Sequence, residues 1–272
     1  MTSFYFNLAL YFVVGTIIGS FLSVVITRFN TDEGIIFGRS RCPQCKQTLT
    51  ALELVPILAF LAFRGRCRHC RNKIGQLYPA LELLMGLLFA GLYFRFAGAF
   101  LGYNLTIFLL IYGLGLAALV AIFFIDARTY LVPDKIVLPG ILLLLLLGLL
   151  NLVLHNDFGA NFFIYSPDIG QFILGPIIGG GFFLLLVLIS KEKWMGWGDV
   201  KLGTFIGLLL GWPLILVALF SAFILGSVFS LVLIALKKKT RQDIIPFAPF
   251  LVCGFLVALF FGKYIIQWYL GV

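Results

Sequence analysis

Apolar runs of about 20 residues recur along the chain, and they constrain its fold more than any other feature. A helix of about 20 residues is long enough to cross the hydrocarbon core of a bilayer, and it satisfies its backbone hydrogen bonds within the segment. Of the 272 residues, 62% are hydrophobic and 11% are charged, which lies outside the usual range for a soluble globular domain. The sequence therefore predicts an all-α integral membrane protein.

We predict about eight membrane-spanning helices, separated by polar or basic breaks. The first is expected to be a retained helix and not a signal peptide, because no basic segment precedes it and no clear small-residue cleavage site follows. The sixth is short, and Trp212-Pro213 interrupts its apolar run, so seven spans with a re-entrant GWGDVK segment remain the alternative. The predicted spans are Phe4–Thr27, Tyr78–Phe94, Leu101–Ile125, Ile136–Leu154, Ile169–Ser190, about Asp199–Gly211, Leu214–Leu236 and Phe247–Leu270.

Basic residues are concentrated on one side of this predicted topology. With the N-terminus outside, eighteen of the twenty Lys and Arg residues fall on the cytoplasmic side, and only Arg95 and Lys263 fall on the other. Because Lys and Arg favour cytoplasmic loops, we expect both termini outside and the long first loop in the cytoplasm. Orientation among anionic lipids accounts for the formal charge of +9, so we expect membrane lipids as partners and no nucleic acid.

The first loop contains two Cys-x-x-Cys pairs, CPQC and CRHC. Cys42 and Cys45 form the first pair, and Cys67 and Cys70 form the second, with 21 residues between the pairs. This spacing predicts a tetrahedral Cys₄ site, and zinc suits four soft thiolate ligands. The first loop is therefore expected to be a small cytoplasmic zinc-knuckle domain between the first two spans.

The expected role of this zinc is structural, because the loop is poor in core-forming residues and a metal would supply folding free energy. Reduced thiols or a redox pair remain the alternatives, and a disulfide is disfavoured in the cytoplasm. His69 lies inside the second pair but is expected to be a bystander, since four thiolates complete the shell. Cys253 is expected to be a small apolar residue of the last span.

Three acidic residues lie in or at the edge of predicted spans, where a charged group is costly. Asp126 ends the third span, Asp199 opens the sixth, and Glu82 lies near the start of the second. By the predicted topology, Asp126 and Asp199 stand at the same cytoplasmic boundary. Two close carboxyl groups can share one proton, so that one acts as acid while the other, as base, activates water against a peptide carbonyl.

Helix capping is the alternative explanation for the two aspartates. An Asp at a helix start commonly caps the helix, which suits Asp199, whereas Asp126 at a C-terminal end opposes the helix dipole. Gly196 and Gly198 precede Asp199, and without side chains they would let a substrate peptide approach closely. The spacing alone leaves both capping and catalysis open.

Seven short strings occur along nearly the whole chain in the order found in bacterial type IV prepilin peptidases, and the chain resembles that family. The GxGD pattern alone is shared with other intramembrane aspartyl proteases, but the seven strings together are highly specific. They are GSFLSVVITR at Gly19–Arg28, CPQC, RGRCRHC, YPALE, FIDARTYLVPD, GWGDVKL and IPFAPFL at Ile245–Leu251.

The resemblance implies a bifunctional enzyme of the bacterial inner membrane. Such an enzyme removes the basic leader from prepilins or pseudopilins at the cytoplasmic face, then methylates the new amino group with S-adenosylmethionine. The resemblance implies that Asp126 and Asp199 are the peptidase pair, that the paired cysteines bind zinc, and that Glu82 is a candidate residue for the methyl-donor site. The expected parts are residues 1–27 as first span, 28–77 as a cytoplasmic Cys₄ zinc-binding loop domain that the resemblance associates with the methyltransferase, and 78–272 as transmembrane peptidase bundle.

The chain departs from the family at one segment. Many members have an acidic-Asn-Ile-Pro stretch after the first cysteine pair, whereas this chain has Glu53-Leu54-Val55-Pro56 and lacks the amide. Peptidase activity without methyl transfer therefore remains the alternative function. A transporter or assembly scaffold would need paired acids near the midplane and symmetric halves, and an intramembrane protease of other substrates would have no evident use for the zinc-binding loop.

Overall fold

The computed structural model describes residues 2–29, 40–99, 103–158, 169–240, 243 and 245–271. Within these residues the chain is helical, with no β-strand and only two isolated β-bridges, so the all-α prediction is confirmed. The predicted start of the third span, Leu101, lies outside the described residues. The elements are α1 Thr2–Arg28, a 3-10 turn Ala51–Leu54, α2 Leu58–Ala62, α3 Leu77–Phe96, α4 Tyr103–Thr129, α5 Asp134–Phe158, α6 Ile169–Ser190, α7 Trp197–Leu210, α8 Leu214–Ala235 and α9 Ala248–Leu270.

Seven helices in the described part of the chain are long and apolar enough to cross a membrane, as expected of a multi-pass membrane protein. The remaining long helix, α7, corresponds to the sixth predicted span. It has 14 residues, which is about 21 Å of helix, whereas the hydrocarbon core is about 30 Å thick. Among the described residues, seven helices are thus long enough to span a membrane and α7 is shorter, where the sequence predicts about eight spans.

The first of two compact units, Met1–Leu101, contains α1, α2, α3 and the cysteine-containing loop. Its two long helices run antiparallel and approach closely, because a Cβ added at Gly15 or Gly19 of α1 would collide with the backbone of α3 at Met85 or Leu81. Small residues commonly permit such close helix contacts in membranes. Because the two helices are antiparallel, the loop that connects α1 to α3 lies at one end of the helix pair.

The second unit, Gly102–Val272, contains α4 to α9. Within it, α7 packs against α5, α6, α8 and α9, and most of its residues from Leu202 on are buried. We call its contact with α6 the glycine seam: Gly175 and Gly179 of α6 face Gly207 and Gly203 of α7. Because protein surrounds α7 on several sides, a helix too short to cross the bilayer is still well packed.

Gly179→Ala should destabilise the second unit by about 1–3 kcal/mol. The added methyl group would meet the carbonyl oxygen of Gly203 and push α6 and α7 apart. Gly181→Ala is the matched control on the same helix, because no described atom lies within 4 Å of a Cβ added there and Ala is a better helix former than Gly. Thermal unfolding of both variants in one detergent makes the comparison, and equal midpoints would contradict the close contact at the seam.

Candidate active site and metal centre

Asp126 is a buried acidic residue in the last turn of α4. Only 5% of it is exposed, and its Oδ2 has no hydrogen-bond partner among the described residues. Its carboxylate interacts with the backbone N–H of Ala248, the first residue of α9. The first N–H groups of a helix have no partner within it and carry the positive end of its dipole. The start of α9 therefore offsets the unfavourable dipole of α4 at Asp126.

Asp199 lies in the first turn of α7 and is partly exposed. The helix begins at Trp197, two residues earlier than predicted, and Gly196 occupies the N-cap position. The carboxylate of Asp199 interacts with the backbone N–H of Gly196, as an acidic side chain at the third helical position commonly does. Asp199 thus contributes to capping, although it is not the N-cap residue itself.

The structure brings the two aspartates near each other. The charge of Asp126 acts on the carboxyl group of Asp199, and α9 packs against both α4 and α7, the helices that carry them. Asp126 is buried and Asp199 is partly exposed, so water can reach one side of the pair. Two neighbouring carboxyl groups can share one proton, because ionising both is costly. The arrangement can therefore supply an acid and a base at one place.

The two glycines before Asp199 have different surroundings. A Cβ added at Gly198 would lie 2.8 Å from the side chain of Val132, in the segment after α4. Gly198 thus makes room for the protein's own chain. At Gly196 an added Cβ would meet only the backbone nitrogen of Gly198 among the described atoms, at 3.9 Å. The expectation that both glycines admit a substrate is wrong for Gly198 and stays a prediction for Gly196.

An ion pair that the sequence did not predict links the two strings containing the aspartates. Lys201 Nζ donates to Asp134 Oδ1 at 2.7 Å, joining the N-terminal parts of α7 and α5. Both side chains are partly exposed, so the pair contributes about 0.2–1 kcal/mol. The sequence indicates only that the two strings contain opposite charges. Because the two residues are 67 positions apart, no local sequence pattern could have predicted that they pair.

Four cysteines of the first loop converge on one point. Their Sγ atoms all lie within 4.8 Å of one another. In each pair, the residue after the second cysteine donates its backbone N–H to the carbonyl oxygen of the first, at 2.9 Å, and an isolated β-bridge closes the turn. We call these two turns, residues 41–48 and 66–73, the knuckles. The four cysteines are Cys42, Cys45, Cys67 and Cys70.

The knuckles fit a tetrahedral metal site. Zn–S bonds of about 2.3 Å place tetrahedral ligands about 3.8 Å apart, and the Sγ atoms of Cys42 and Cys70 are 3.9 Å apart. All five cysteines are free of disulfide bonds. His69 is outside the cluster, and its Nε2 lies 3.3 Å from Glu53 Oε1, in agreement with the bystander role. The four thiols can hold a metal ion without another ligand.

Glu82 is buried at the start of α3 and supports a turn in the loop. Its Oε2 accepts the backbone N–H of Ile57 at 2.7 Å. Ile57 has a φ of 59°, which is strained for a β-branched residue. The N–H of Leu58 bonds to the carbonyl oxygen of Pro56, so the three residues form a γ-turn of the rare, positive-φ kind. We call Pro56–Leu58 the Ile57 turn, and Glu82 fastens it to α3.

Glu53 belongs to the segment in which the chain departs from the family. Its side chain is held in place by hydrogen bonds from Thr50. Its Oε2 accepts the backbone N–H and the hydroxyl of Thr50, both at 2.8 Å. The Thr50 N–H, and after it the Thr50 hydroxyl, hold the pKa of Glu53 below its usual range. Its side chain is 5% exposed, and Oε1 has no hydrogen-bond partner in the described part of the chain.

Comparison with known proteins assigns the chain to a family. Residues 13–96 match the Bacterial Peptidase A24 N-terminal domain, and residues 113–231 match the Type IV leader peptidase family. A prepilin leader peptidase/N-methyltransferase of Bacillus subtilis is 31% identical over 97% of this chain and 98% of its own length. The chain belongs to the type IV leader peptidase family. The resemblance seen in the sequence is confirmed.

Other prepilin leader peptidase/N-methyltransferases are similar to this member of the family. That of Aeromonas hydrophila is 33% identical over 98% of the chain and 94% of its own length, and that of Burkholderia pseudomallei (strain K96243) is 33% identical over 94% and 86%. No solved structure matches the chain at a significant level. The leader-peptidase match contains Asp126 and Asp199 but ends before α9, so the Ala248 N–H beside Asp126 comes from outside it.

Proposed function

We propose that this chain removes the leader peptide from a prepilin or pseudopilin and then N-methylates the new amino terminus, the two activities that its relatives' names state for them. The observation that supports the peptidase most directly is the proximity of Asp126 to Asp199, with the first N–H of α9 at Asp126. One buried acid can be a cap, but two that share a proton provide the acid and the base that amide hydrolysis needs.

The proposed hydrolysis uses both carboxyl groups of the pair. The ionised carboxylate takes a proton from water while the water oxygen bonds to the scissile carbonyl carbon, and the protonated carboxyl gives its proton to the carbonyl oxygen. The tetrahedral intermediate then collapses: the carboxyl group that took the proton from water gives it to the amine nitrogen, the other carboxylate takes a proton from a hydroxyl of the intermediate, and the C–N bond breaks. Asp126 and Asp199 are the proposed catalytic residues, and the products are the leader carboxylate and a new amino terminus.

For the cysteine cluster we propose zinc with a structural role. A site with four thiolates leaves no open coordination position for water or substrate, which is the pattern of structural zinc. Cys42 and Cys45 would bind it from one knuckle, and Cys67 and Cys70 from the other. The metal would then join two short turns, each closed by few local hydrogen bonds, into one folded domain.

The proposed methyl transfer takes place on the amine that cleavage creates. S-adenosylmethionine supplies an electrophilic methyl group. The amine, in its neutral form, would receive this methyl group and would release a proton to water. The protein would have to bind and orient the methyl donor. Glu82 is the residue that the sequence analysis proposes for this donor site.

We propose the bacterial inner membrane as the location, with both termini outside and the aspartate pair at the cytoplasmic face. The distribution of basic residues supports this orientation. A prepilin combines a basic leader with an apolar helix, so its cleavage site would lie at the membrane surface on the side of the aspartates. The substrate helix would then enter between spans from the lipid.

Incubating the full chain in membranes with a prepilin and methyl-labelled S-adenosylmethionine tests both activities separately. We expect leader removal, followed by label on the mature amino terminus and none on the uncleaved prepilin. Cleavage without label would support the peptidase-only alternative, which the missing amide in Glu53-Leu54-Val55-Pro56 favours. A folded protein that cleaves no prepilin or pseudopilin would refute the proposal.

A further inference from the structure

The first unit contains a large cavity that the proposed peptidase chemistry does not use. Its volume is about 970 Å³, and it lies between the C-terminal half of α1, the start of α3 and the cysteine-containing loop. Ligand-binding cavities typically have volumes of about 300–1,000 Å³. The cavity is therefore large enough for a nucleoside that carries an amino-acid chain.

Acidic and basic residues occupy different depths in the wall of this cavity. Glu53 and Glu82 line it with buried side chains, whereas the basic residues of the wall are exposed or partly exposed. A ligand with cationic groups at its inner end and a carboxylate near the edge would match this distribution. The basic residues are Arg28, Arg41, Lys46, Arg66, Arg68 and Lys73.

One carboxylate oxygen in the wall has an unused capacity to bind. Glu53 Oε2 is satisfied by Thr50, but Oε1 is buried and accepts no hydrogen bond from the described residues. The Nε2 atom of His69 lies 3.3 Å from Oε1, and the charge of Arg68 also acts on this carboxylate. Buried carboxylates normally find donors or cations. Glu53 Oε1 is thus a place for the ammonium or sulfonium of a ligand.

Aromatic side chains form another part of the wall. Phe60, Phe63 and Tyr78 line the cavity and are each partly buried. Nucleobases stack on such rings in many binding sites. The wall therefore combines a surface for a purine with a carboxylate for a cationic chain.

The Ile57 turn shapes the wall between these two features. Pro56, its first residue, lines the cavity, and the strained φ of Ile57 is held by the Glu82 hydrogen bond. Backbone strain persists only where the surroundings maintain it, and such points cluster at ligand sites. Glu82 thereby acts on the cavity through the backbone.

We propose that this cavity binds S-adenosylmethionine, with Glu53 contacting its cationic amino-acid end and Glu82 positioning the wall through the Ile57 turn. The inference rests on the proposed methyltransferase function and assigns its donor site. It also gives the two acids different roles. The charge of Glu53 is required, whereas Glu82 needs only an oxygen that accepts the Ile57 N–H.

Equilibrium dialysis of labelled S-adenosylmethionine against the zinc-loaded full chain in detergent tests these roles. We expect Glu53→Gln to raise the Kd about tenfold or more, because a charge-assisted contact is lost. Glu82→Gln keeps an acceptor oxygen and should bind nearly as wild type does, whereas Glu82→Ala should bind much more weakly. Asp243→Asn is the matched control, because Asp243 accepts the N–H and hydroxyl of Thr240 in the same local pattern as Glu53 does from Thr50.

Two substitutions on α2 test the cavity without removing a charge. Ala59 lines the cavity and Ala62 of the same helix does not, so Ala59→Trp should abolish donor binding and Ala62→Trp should preserve it. Zinc content, expected at one per chain in every variant, shows that the loop is still folded. Loss of binding in both Trp variants at full zinc content would refute the cavity as the donor site.

The remaining outcomes separate this inference from the proposed function. If wild type methylates its substrate and Glu53→Gln binds the donor with unchanged Kd, the donor site lies elsewhere and only the inference fails. If glycerol 1-phosphate competes with the donor and Glu53→Gln has no effect on donor binding, the cavity would instead be assigned to a lipid headgroup.

If wild type neither binds the donor nor methylates any processed pilin, the methyltransferase function itself fails. Equal weakening by Glu82→Gln and Glu82→Ala would overturn the positioning role of Glu82.

Discussion

Replacing either Asp126 or Asp199 by Asn should reduce the rate of leader removal by about 10³-fold or more, since general acid–base catalysis contributes about 10²–10⁴-fold for each positioned group. An Asn cannot accept a proton from water or give one to the carbonyl oxygen. Its side-chain oxygen still accepts the N–H that each aspartate faces, Ala248 for Asp126 and Gly196 for Asp199. The loss should therefore be chemical and not structural.

The measurement is the rate of prepilin cleavage in membranes that contain equal amounts of each variant. Asp243→Asn serves as the control, because Asp243 is an exposed acid outside the pair and its replacement should leave the rate within about twofold of wild type. Donor binding by the two aspartate variants should be unchanged, because the proposed donor site uses other residues. Full cleavage by either Asp126→Asn or Asp199→Asn would refute the pair.

Changing all four knuckle cysteines to Ser should reduce bound zinc from one ion per chain to none. Removal of the metal should also unfold the knuckles, because each is closed by few local hydrogen bonds. Structural zinc contributes about 10–16 kcal/mol to the folding of small zinc domains, far more than such turns supply alone. Elemental analysis of the purified chain gives the stoichiometry, and limited proteolysis reports the loss of the loop's fold.

Cys253→Ser is the matched control for this experiment. Cys253 lies on α9, outside the cluster, so its replacement should leave zinc at one per chain and the loop resistant to protease. The donor should no longer bind to the four-cysteine variant, because several residues of the proposed cavity lie in the loop. Unchanged zinc in the four-cysteine variant would refute the Cys₄ site.

Two levels of this protein's structure were predictable from sequence for the same physical reason. A membrane span is determined by the length of one apolar run, and a Cys-x-x-Cys turn is determined by four adjacent residues. The long helices and the convergence of Cys42, Cys45, Cys67 and Cys70 accordingly agree with prediction. The position of the helix that carries Asp199 was predicted to within two residues.

Contacts between distant segments were not predictable in this way. Nothing near Glu82 in the sequence indicates that it binds the N–H of Ile57, 25 positions away. Likewise, the sequence around Gly198 does not show that Val132 occupies the space beside it. Each of these contacts depends on how helices and loops pack, and no local pattern carries that information.

The aspartates show both kinds of information at once. Their residue type, their place at helix ends and their family strings were determined by the sequence alone. Tertiary structure decided that α9 brings its first N–H to Asp126, that glycines let α7 pack closely on α6, and that the charge of Asp126 acts on Asp199. Hydrophobic length and turn chemistry act over a few neighbouring residues, whereas the proximity of two acids on separate helices depends on the packing of the whole bundle.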